Sequence, residues 1–266
     1  MIRANINQPR IEYSVRFFQD SEGTIQTHFE ELFQFLVDFQ TKQSTQNNEI
    51  SSGKSILVYF PSKRLINRFQ SIYPDAVILF YADLPSEEKD QNLKDFETGR
   101  FPILAAISAI GAGYDFTNIQ LVVHFYFAYE FTNFIQETGR ACRQPGTRGY
   151  SVVYTTPWEL KLKPEDSEER QLMKRYMAQT ECRRQLIQLT FNELEVSGCS
   201  PSEIPCNLYQ KRQQILQQGP RNLQIRKYFF NSLLYFLSLS FLEISRSNIR
   251  PLGFILGSAN SLYSIL

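Results

Sequence analysis

Two hydrophobic patterns alternate along the chain between residues 56 and 155. Short apolar runs, typical of strands buried on both faces of a sheet, take turns with segments whose apolar residues recur at helical spacing. The runs that predict strands are 56–60, 76–80, 103–107, 121–125 and 150–155. Strands and helices that alternate at such short spacing predict an α/β fold, in which a parallel sheet carries helices on both faces.

The N-terminal segment continues this pattern. Residues 11–15 alternate between apolar and polar side chains, which predicts a strand, and the apolar residues of 24–39 have the spacing of an amphipathic helix. Residues 41–52 are polar and rich in Gln, Asn and Ser, so they predict a loop.

Composition narrows the functions that such a fold could carry. A length of 266 residues allows one α/β domain and a smaller appendage. The net charge is only +1, which excludes a globally basic surface, so any nucleic-acid site has to be a local patch. Four cysteines without a secretory signal indicate a reducing compartment, and thiol or metal chemistry instead of a disulfide framework. We therefore expect an intracellular protein that is not secreted.

Arg140 and Arg143 are the strongest candidates for chemistry. Three residues apart on a helix, the two arginines would share one face, and Gly139 would let another backbone or a phosphate come close. Their planar guanidinium groups match phosphate oxygens bidentately. The same residues also fit a solvated helix end at which the arginines pair with carboxylates, so the pattern alone leaves both interpretations open.

The stretch 136–146, Gln-Glu-Thr-Gly-Arg-Ala-Cys-Arg-Gln-Pro-Gly, resembles the sixth motif of superfamily-two helicases, and most closely that of the RecQ family of DNA helicases. The resemblance implies that the sheet is the second RecA-like domain of an ATP-dependent 3′–5′ DNA helicase. It also implies catalytic roles for Gln136, Arg140 and Arg143 at the γ-phosphate of ATP. Gly139 would lie beside the nucleotide, and Mg²⁺ would be the second cofactor.

Two further stretches resemble helicase motifs, and both follow predicted strands. Ser62 and Lys63 match the fourth motif, and residues 108–115 match the fifth. The resemblance assigns contacts with the DNA backbone to Ser62, Lys63 and Ser108, and a close approach to the nucleotide to Gly111, Gly113 and Asp115.

Residues 81–84 resemble a RecQ segment that reads Tyr-His-Ala-Gly-Leu, but with two departures. Tyr81 replaces its histidine and Asp83 replaces its glycine. A phenol ring therefore takes the place of the family's imidazole, and a carboxylate side chain takes the place of a glycine, which has none.

His124 lies inside the apolar run 121–125. A histidine in such a strand is more often a hydrogen-bonded core residue than a catalytic base. We therefore predict a structural role for it.

The first RecA-like domain of such helicases holds a phosphate loop and an acidic Mg²⁺-binding motif, and neither pattern occurs in the sequence. Residues 52–55, Ser-Gly-Lys-Ser, match only the end of a phosphate loop and predict a turn into a strand. We expect the chain to start at the junction between the two domains, and to be inactive unless a companion chain supplies the first. The family implies single-stranded or forked DNA as the partner, DNA recombination and repair as the process, and the nucleus (or a prokaryotic nucleoid) as the location.

Three cysteines after the predicted sheet, Cys182, Cys199 and Cys206, are candidate metal ligands. RecQ proteins carry a helical hairpin and a four-cysteine zinc site here, and their first zinc cysteine precedes two arginines, as Cys182 does. Tyr209 stands where the fourth cysteine would be. Structural zinc sites use four protein ligands, so two interpretations stay open: zinc with water or another side chain in the fourth position, or a site that no longer binds zinc.

The motifs divide the chain into four parts. Residues 1–52 would form the junction, 53–157 the RecA-like domain, 158–209 the helical hairpin with the degenerate zinc region, and 210–266 a tail that no motif assigns. Within the tail, residues 228–242 are apolar, but they fall short of the about 20 residues that span a bilayer. They predict a buried or partner-binding helix, and we do not expect membrane association.

Two other functions fit the sequence. Basic pairs at 174–175, 183–184 and 211–212 favour a non-catalytic module that binds nucleic acid or a protein partner. The other is a degenerate, truncated product without function, which would likewise contain no phosphate loop and no acidic Mg²⁺-binding motif.

Overall fold

The computed structural model describes residues 8–46, 55–107, 116, 118–126, 130–143, 146–192 and 194–217. Within these ranges six strands form one sheet: β1 (Ile11–Phe17), β2 (Ser55–Tyr59), β3 (Val77–Phe80), β4 (Ile103–Ala106), β5 (Ile119–Phe125) and β6 (Gly149–Thr155). Their order is β1-β6-β5-β2-β4-β3, and every neighbouring pair is parallel.

Seven α-helices accompany the strands in the described ranges: α1 (Ile25–Gln46), α2 (Lys63–Ile72), α3 (Ser86–Glu97), α4 (Phe131–Thr138), α5 (Glu168–Ala178), α6 (Arg183–Asn192) and α7 (Asn207–Gln217). A short 3₁₀ turn, Pro157–Leu160, follows β6. The predicted α/β fold is confirmed, and the sheet has the RecA-like arrangement of parallel strands joined by helices.

Both faces of the sheet are covered by apolar side chains. Successive strand residues point to opposite faces, so Ile56 and Val58 of β2 face α1 and α2, whereas Leu57 and Tyr59 face the side of α3 to α6. Burial on both faces explains why the strands are continuous apolar runs. β1 and α1, which the sequence placed in the junction, are parts of the same domain as the rest of the sheet. β1 pairs with β6 along its whole length and buries its apolar side chains on the face of α3 to α6, whereas α1 packs on the opposite face.

Two arginines at the start of α6 are buried in the structure. Arg184 donates hydrogen bonds to the carbonyl oxygens of Ile11 at 2.7 Å, and of Gln8 and Ile204 at 3.1 Å each, and its Nε lies 3.6 Å from a carboxylate oxygen of Glu203. It thereby ties the start of β1 to the loop that precedes α7. These hydrogen bonds from the terminal nitrogens offset part of the cost of burying the charge.

Arg183 donates to the carbonyl oxygens of Tyr176 at 2.6 Å and of Met177 at 2.9 Å. These bonds fasten α6 to the end of α5.

The interpretation of the basic pairs as a nucleic-acid surface is therefore wrong for half of their residues. Arg183 and Arg184 are buried, and Lys174 is buried with its ammonium 2.6 Å from the Asp166 carboxylate. Only Arg175 and the pair at 211–212 are exposed. A cation that is buried and hydrogen-bonded inside the protein cannot reach a phosphate backbone.

The described chain divides into a compact unit that ends at Gln213 and a second unit from Gln214, of which the structure describes residues 214–217. The predicted apolar helix at 228–242 lies outside the described residues. No helix among those described has the length and apolar character needed to cross a membrane.

We predict that Arg184→Met destabilises the protein by about 3–5 kcal/mol, because it leaves Glu203 and several carbonyl oxygens without their buried partner. Urea unfolding, followed by far-UV circular dichroism, measures the change. Arg175→Met, on the exposed face of the neighbouring helix, is the control and should change the free energy of unfolding by less than about 0.5 kcal/mol. Equal losses for the two variants would contradict a structural role for Arg184.

Candidate functional site

The arginine motif lies in the turn that follows α4. The helix ends at Thr138, and Gly139 caps it with its amide bonded to the carbonyl oxygen of Ile135 at 3.1 Å. Arg140 is half-buried and Arg143 is exposed. The prediction that both arginines share one helix face is wrong, because the helix stops before either of them.

The turn after the helix contains a residue, Cys142, with an unusual backbone conformation. Its φ angle of 67° is in the left-handed region, which non-glycine residues rarely adopt. Its amide bonds to the carbonyl oxygen of Ile119 at 3.1 Å, and its thiol donates to the carbonyl oxygen of Thr147 at 2.7 Å. Gly149 packs so closely against it that an added Cβ would lie 2.6 Å from the Cys142 Cβ. These contacts fix the turn that carries the two arginines.

A buried polar cluster supports the end of α4 below Arg140. His124 Nε2 lies 2.7 Å from a carboxylate oxygen of Glu137, and the His124 ring stacks on Tyr59 with 5.1 Å between the ring centroids. The prediction that His124 is a core residue is confirmed, since it is 1% exposed and fully enclosed by these partners. Glu137 links the end of the helix to β5.

Tyr59 connects this cluster to the arginines. Burial, together with the Glu137 carboxylate, raises the pKa of the Tyr59 hydroxyl, and the nearby positive charges of Arg140 and Arg143 partly offset that rise. Both arginines therefore lie near enough to the Tyr59 hydroxyl, at the carboxyl end of β2, for their charges to act on it. In parallel sheets, ligands bind at this end of the strands.

Sequence reasoning missed Tyr59 and Glu137. The signal for Glu137 was its position three residues after Phe134, on the apolar face of α4, where a carboxylate needs a buried partner. The partner, His124, is 13 positions away and comes into reach only through the sheet.

Of the other residues predicted for the nucleotide or the nucleic acid, only some are described in the structure. Gln136 is exposed on α4. Ser108, Gly111, Gly113 and Asp115 lie outside the described residues, so their predicted roles stay predictions.

Ser62 and Lys63, the candidate DNA contacts, lie at the start of α2. The Ser62 hydroxyl caps the helix by accepting a hydrogen bond from the Leu65 amide at 3.4 Å. Lys63, the first residue of α2, is exposed and forms an ion pair with Asp83. Its ammonium also lies 5.9 Å from the centre of the Tyr81 ring. The two departures from the RecQ pattern therefore both contact the lysine of the fourth motif.

Three cysteines come together in the region after the sheet, as the sequence predicts. The sulfurs of Cys182 and Cys199 are 3.5 Å apart, those of Cys182 and Cys206 are 3.9 Å apart, and all three lie within 4.8 Å of one another. Sulfurs bound to one tetrahedral zinc ion at about 2.3 Å would be about 3.8 Å apart. The spacing of the three thiols therefore fits a zinc ion.

Hydrogen bonds to the sulfurs also suit thiolate ligands. The Arg183 amide donates to the Cys206 sulfur at 3.4 Å, and the Cys206 amide donates to the Cys199 sulfur at 3.3 Å. Hydrogen bonds from the other two cysteines, with help from backbone amides, lower the pKa of Cys206, whereas the hydrogen bonds with Cys199 and Cys206 raise the pKa of Cys182. A thiolate is the form that binds a metal ion.

Tyr209 lies beside this cluster and does not supply a sulfur. Its ring packs on Gly198, where an added Cβ would lie 2.5 Å from a ring carbon. Within the described residues the cluster thus offers three sulfur ligands, and the Tyr209 ring packs on the residue before Cys199.

The sequence is similar to known helicases. Residues 30–144 match the family described as the helicase conserved C-terminal domain. The chain is 22% identical over 182 residues to an ATP-dependent RNA helicase, DBP2, of Encephalitozoon cuniculi, and 26% identical over 168 residues to the ATP-dependent DNA helicase RecQ of Pasteurella multocida. These alignments cover 58% and 57% of the chain, but 36% and 26% of the two relatives. The chain thus spans about a third of the first relative's length and about a quarter of the second's.

The C-terminal domain of the DEAD-box protein Dbp5, a solved structure, superposes with a TM-score of 0.46 at 16% identity, covering 71% of this chain and 89% of that one. The match to the helicase conserved C-terminal domain falls on the parallel sheet, where it includes strands β2 to β5 and helices α2 to α4.

Proposed function

We propose that the chain is the C-terminal half of a RecQ-like, ATP-dependent 3′–5′ DNA helicase. The observation that carries this proposal is the contrast between the two arginine pairs. Arg183 and Arg184 are buried, with carbonyl oxygens as partners, whereas Arg140 is half-buried and Arg143 is exposed, on a fixed turn. Arginines held at the surface in this way can meet an anion that comes from outside the domain.

The buried cluster would hold these arginines in position to contact a nucleotide. His124 and Glu137 hold the end of α4, and the Tyr59 hydroxyl lies beside Arg140. Bound with Mg²⁺ between two RecA-like domains, ATP would supply the γ-phosphoryl group that hydrolysis transfers to water. Arg140 and Arg143 would stabilise the negative charge that develops there, with Gln136 and Gly139 alongside. Charged groups that are held in place stabilise a transition state strongly, because they need no rearrangement during the reaction.

The second half of the nucleotide site would come from a first RecA-like domain. The sequence contains no phosphate loop and no acidic Mg²⁺ motif, and that domain would provide both. Phosphoryl transfer depends on positioning and electrostatics from both sides of the nucleotide. We therefore propose that this half has essentially no turnover by itself.

For the nucleic-acid partner we propose single-stranded or forked DNA, bound along Ser62, Lys63 and the fifth-motif residue Ser108. The cysteine cluster supports the RecQ assignment, because Cys182 with its two following arginines packs next to the sheet, where the RecQ resemblance expects the zinc region. A nuclear location, or a nucleoid one in a prokaryote, follows from the same assignment.

A second candidate is an RNA helicase. Several of the relatives, including DBP2 of Encephalitozoon cuniculi and the DEAD-box helicase 9 of Oryza sativa, are named ATP-dependent RNA helicases. The phosphate contacts at Ser62 and Lys63 would suit either nucleic acid, because they carry no sequence or sugar preference.

We further propose that Cys182, Cys199 and Cys206 hold a zinc ion, with Tyr209 next to the fourth position. Zinc bound there would stabilise the region 158–209 by joining α6 to the loop before α7. The competing possibility is a cluster of thiols that has lost its metal.

Arg143→Ala should lower ATP hydrolysis by about 10²- to 10³-fold, as the loss of one preorganised charge-stabilising group does. The assay mixes the purified chain with a separately purified first RecA-like domain of a RecQ helicase, with and without single-stranded DNA. We expect hydrolysis in the mixture only, stimulated by DNA. Arg175→Ala serves as the control and should retain full activity. Hydrolysis by the chain alone, or undiminished activity of Arg143→Ala, would contradict the proposal.

Lys63→Ala should weaken binding of a 20-nucleotide single strand and reduce the slope of log affinity against log salt by about one, since it removes one phosphate contact. Fluorescence anisotropy between 50 and 200 mM salt would measure both quantities, on DNA and on RNA of the same sequence. Arg68→Ala, an exposed change at the far side of α2, is the control. Tighter binding of the RNA strand would favour the RNA helicase over the RecQ assignment.

Cys199→Ser should abolish zinc binding and lower the melting temperature, because two thiolates do not hold a structural zinc ion. Atomic absorption of the purified protein measures bound zinc, and Cys142→Ser is the control that keeps it. Tyr209→Cys, which completes the four thiolates, should retain zinc against a chelator that strips it from the natural chain. Absence of zinc from both the natural chain and Tyr209→Cys would show that the cluster has lost its metal.

A further inference from the structure

We call Ser62, Lys63 and Ser108, the residues proposed to bind the DNA backbone, the nucleic-acid track. Of these residues, Lys63 already has an anionic partner within the protein. Lys63 forms an ion pair with Asp83, and the side chains are 54% and 61% exposed, so the pair lies in the solvent at the surface. The Tyr81 ring, 5.9 Å from the same ammonium, adds a weak cation–π contact. The carboxylate thus occupies the position at which a phosphate oxygen would meet Lys63.

The start of α2 favours an anion at this place. Its first turn contains no acidic residue and carries Lys63 and Arg64, and the helix N-terminus adds partial positive charge from its amides. The Ser62 hydroxyl accepts the Leu65 amide hydrogen and can still donate its own hydrogen to an oxygen. The anion that the fold brings here, Asp83, comes from the end of β3, two strands away in the sheet.

The loop that carries Asp83 is held in position. The Leu84 amide closes a turn onto the carbonyl oxygen of Tyr81 at 3.2 Å, and the Lys89 ammonium of α3 donates to the carbonyl oxygen of Ala82 at 2.9 Å. Leu84 is buried on the far side of the turn. The Asp83 side chain therefore extends from a turn whose backbone is held by hydrogen bonds.

We propose that Asp83 is an internal competitor of the nucleic-acid backbone at Lys63. To bind a phosphodiester, Lys63 has to exchange the Asp83 carboxylate for a phosphate oxygen, and Asp83 then remains close to the bound phosphate and repels it. Exposed ion pairs are weak and are screened by salt, so the carboxylate lowers the affinity without closing the site. This inference rests on the proposed function, because it concerns the same nucleic-acid track.

The test is binding of a 20-nucleotide single strand, DNA and RNA in separate titrations, to Asp83→Asn at 50 mM salt. Asparagine keeps the shape of the side chain and removes its charge. We expect Asp83→Asn to bind about twofold to fivefold more tightly than the natural chain, which is the range that the loss of one exposed pair allows. Circular dichroism and the melting temperature confirm that the variant is folded.

Two controls separate this effect from a general change in charge. Asp75→Asn makes the same change in net charge at the amino end of β3, also at an exposed residue, and should leave the affinity unaltered. In a Lys63→Ala background, Asp83→Asn should lose its gain, because the lysine for which the two anions compete is absent. An equal gain from Asp75→Asn, or a full gain without Lys63, would overturn the proposal.

The inference and the proposed function fail in different ways. If the natural chain binds the strand and Lys63→Ala weakens that binding, but Asp83→Asn binds no more tightly, the competitor is disproved and the nucleic-acid track stands. If neither the natural chain nor Asp83→Asn binds DNA or RNA, the track itself is disproved, and the competitor with it.

Discussion

The parallel sheet has to be covered on both faces, and the rest of the domain is arranged to meet that requirement. Antiparallel strands can leave one face in water, but these strands are apolar on both sides and need a helical layer on each. α1 and α2 provide one layer, and α3 to α6 provide the other. The crossover helices return each strand to the same direction, so loops that are far apart in sequence meet at one edge. The contact between Lys63 and Asp83 exists for this reason.

Burial gives chemically identical side chains different roles. Arg184 and Lys174 are buried and donate their hydrogen bonds to carbonyl oxygens and carboxylates within the protein. An arginine placed there stabilises the structure only if all its donors find partners, because a buried unpaired charge is costly. Arg143, by contrast, is exposed on a turn whose backbone is fixed by Cys142. Rigid backbone with an accessible charge is the combination that a phosphate site requires.

Single replacements within the motifs change what the sites can do. Asp83 brings a carboxylate to a position beside a phosphate-binding lysine, and Tyr209 brings a ring to the side of three clustered thiols. Asp83 extends from the turn after β3, and Tyr209 lies in the first turn of α7. The charge of one site and the ligand number of the other thus each depend on a single side chain.

The sequence by itself determined the strands and the parallel arrangement, because apolar periodicity is a local signal that tertiary packing rarely overrides in long, regular segments. That the three cysteines come together was predicted from the resemblance to RecQ proteins. The sequence could not determine that the helix ends before Arg140, since Cys142 takes its left-handed conformation from contacts with Ile119, Thr147 and Gly149. Nor could it tell buried from exposed basic residues. Which cations are desolvated, and which carboxylate meets Lys63, depends on side chains brought together from separate strands, and only the tertiary structure decided that.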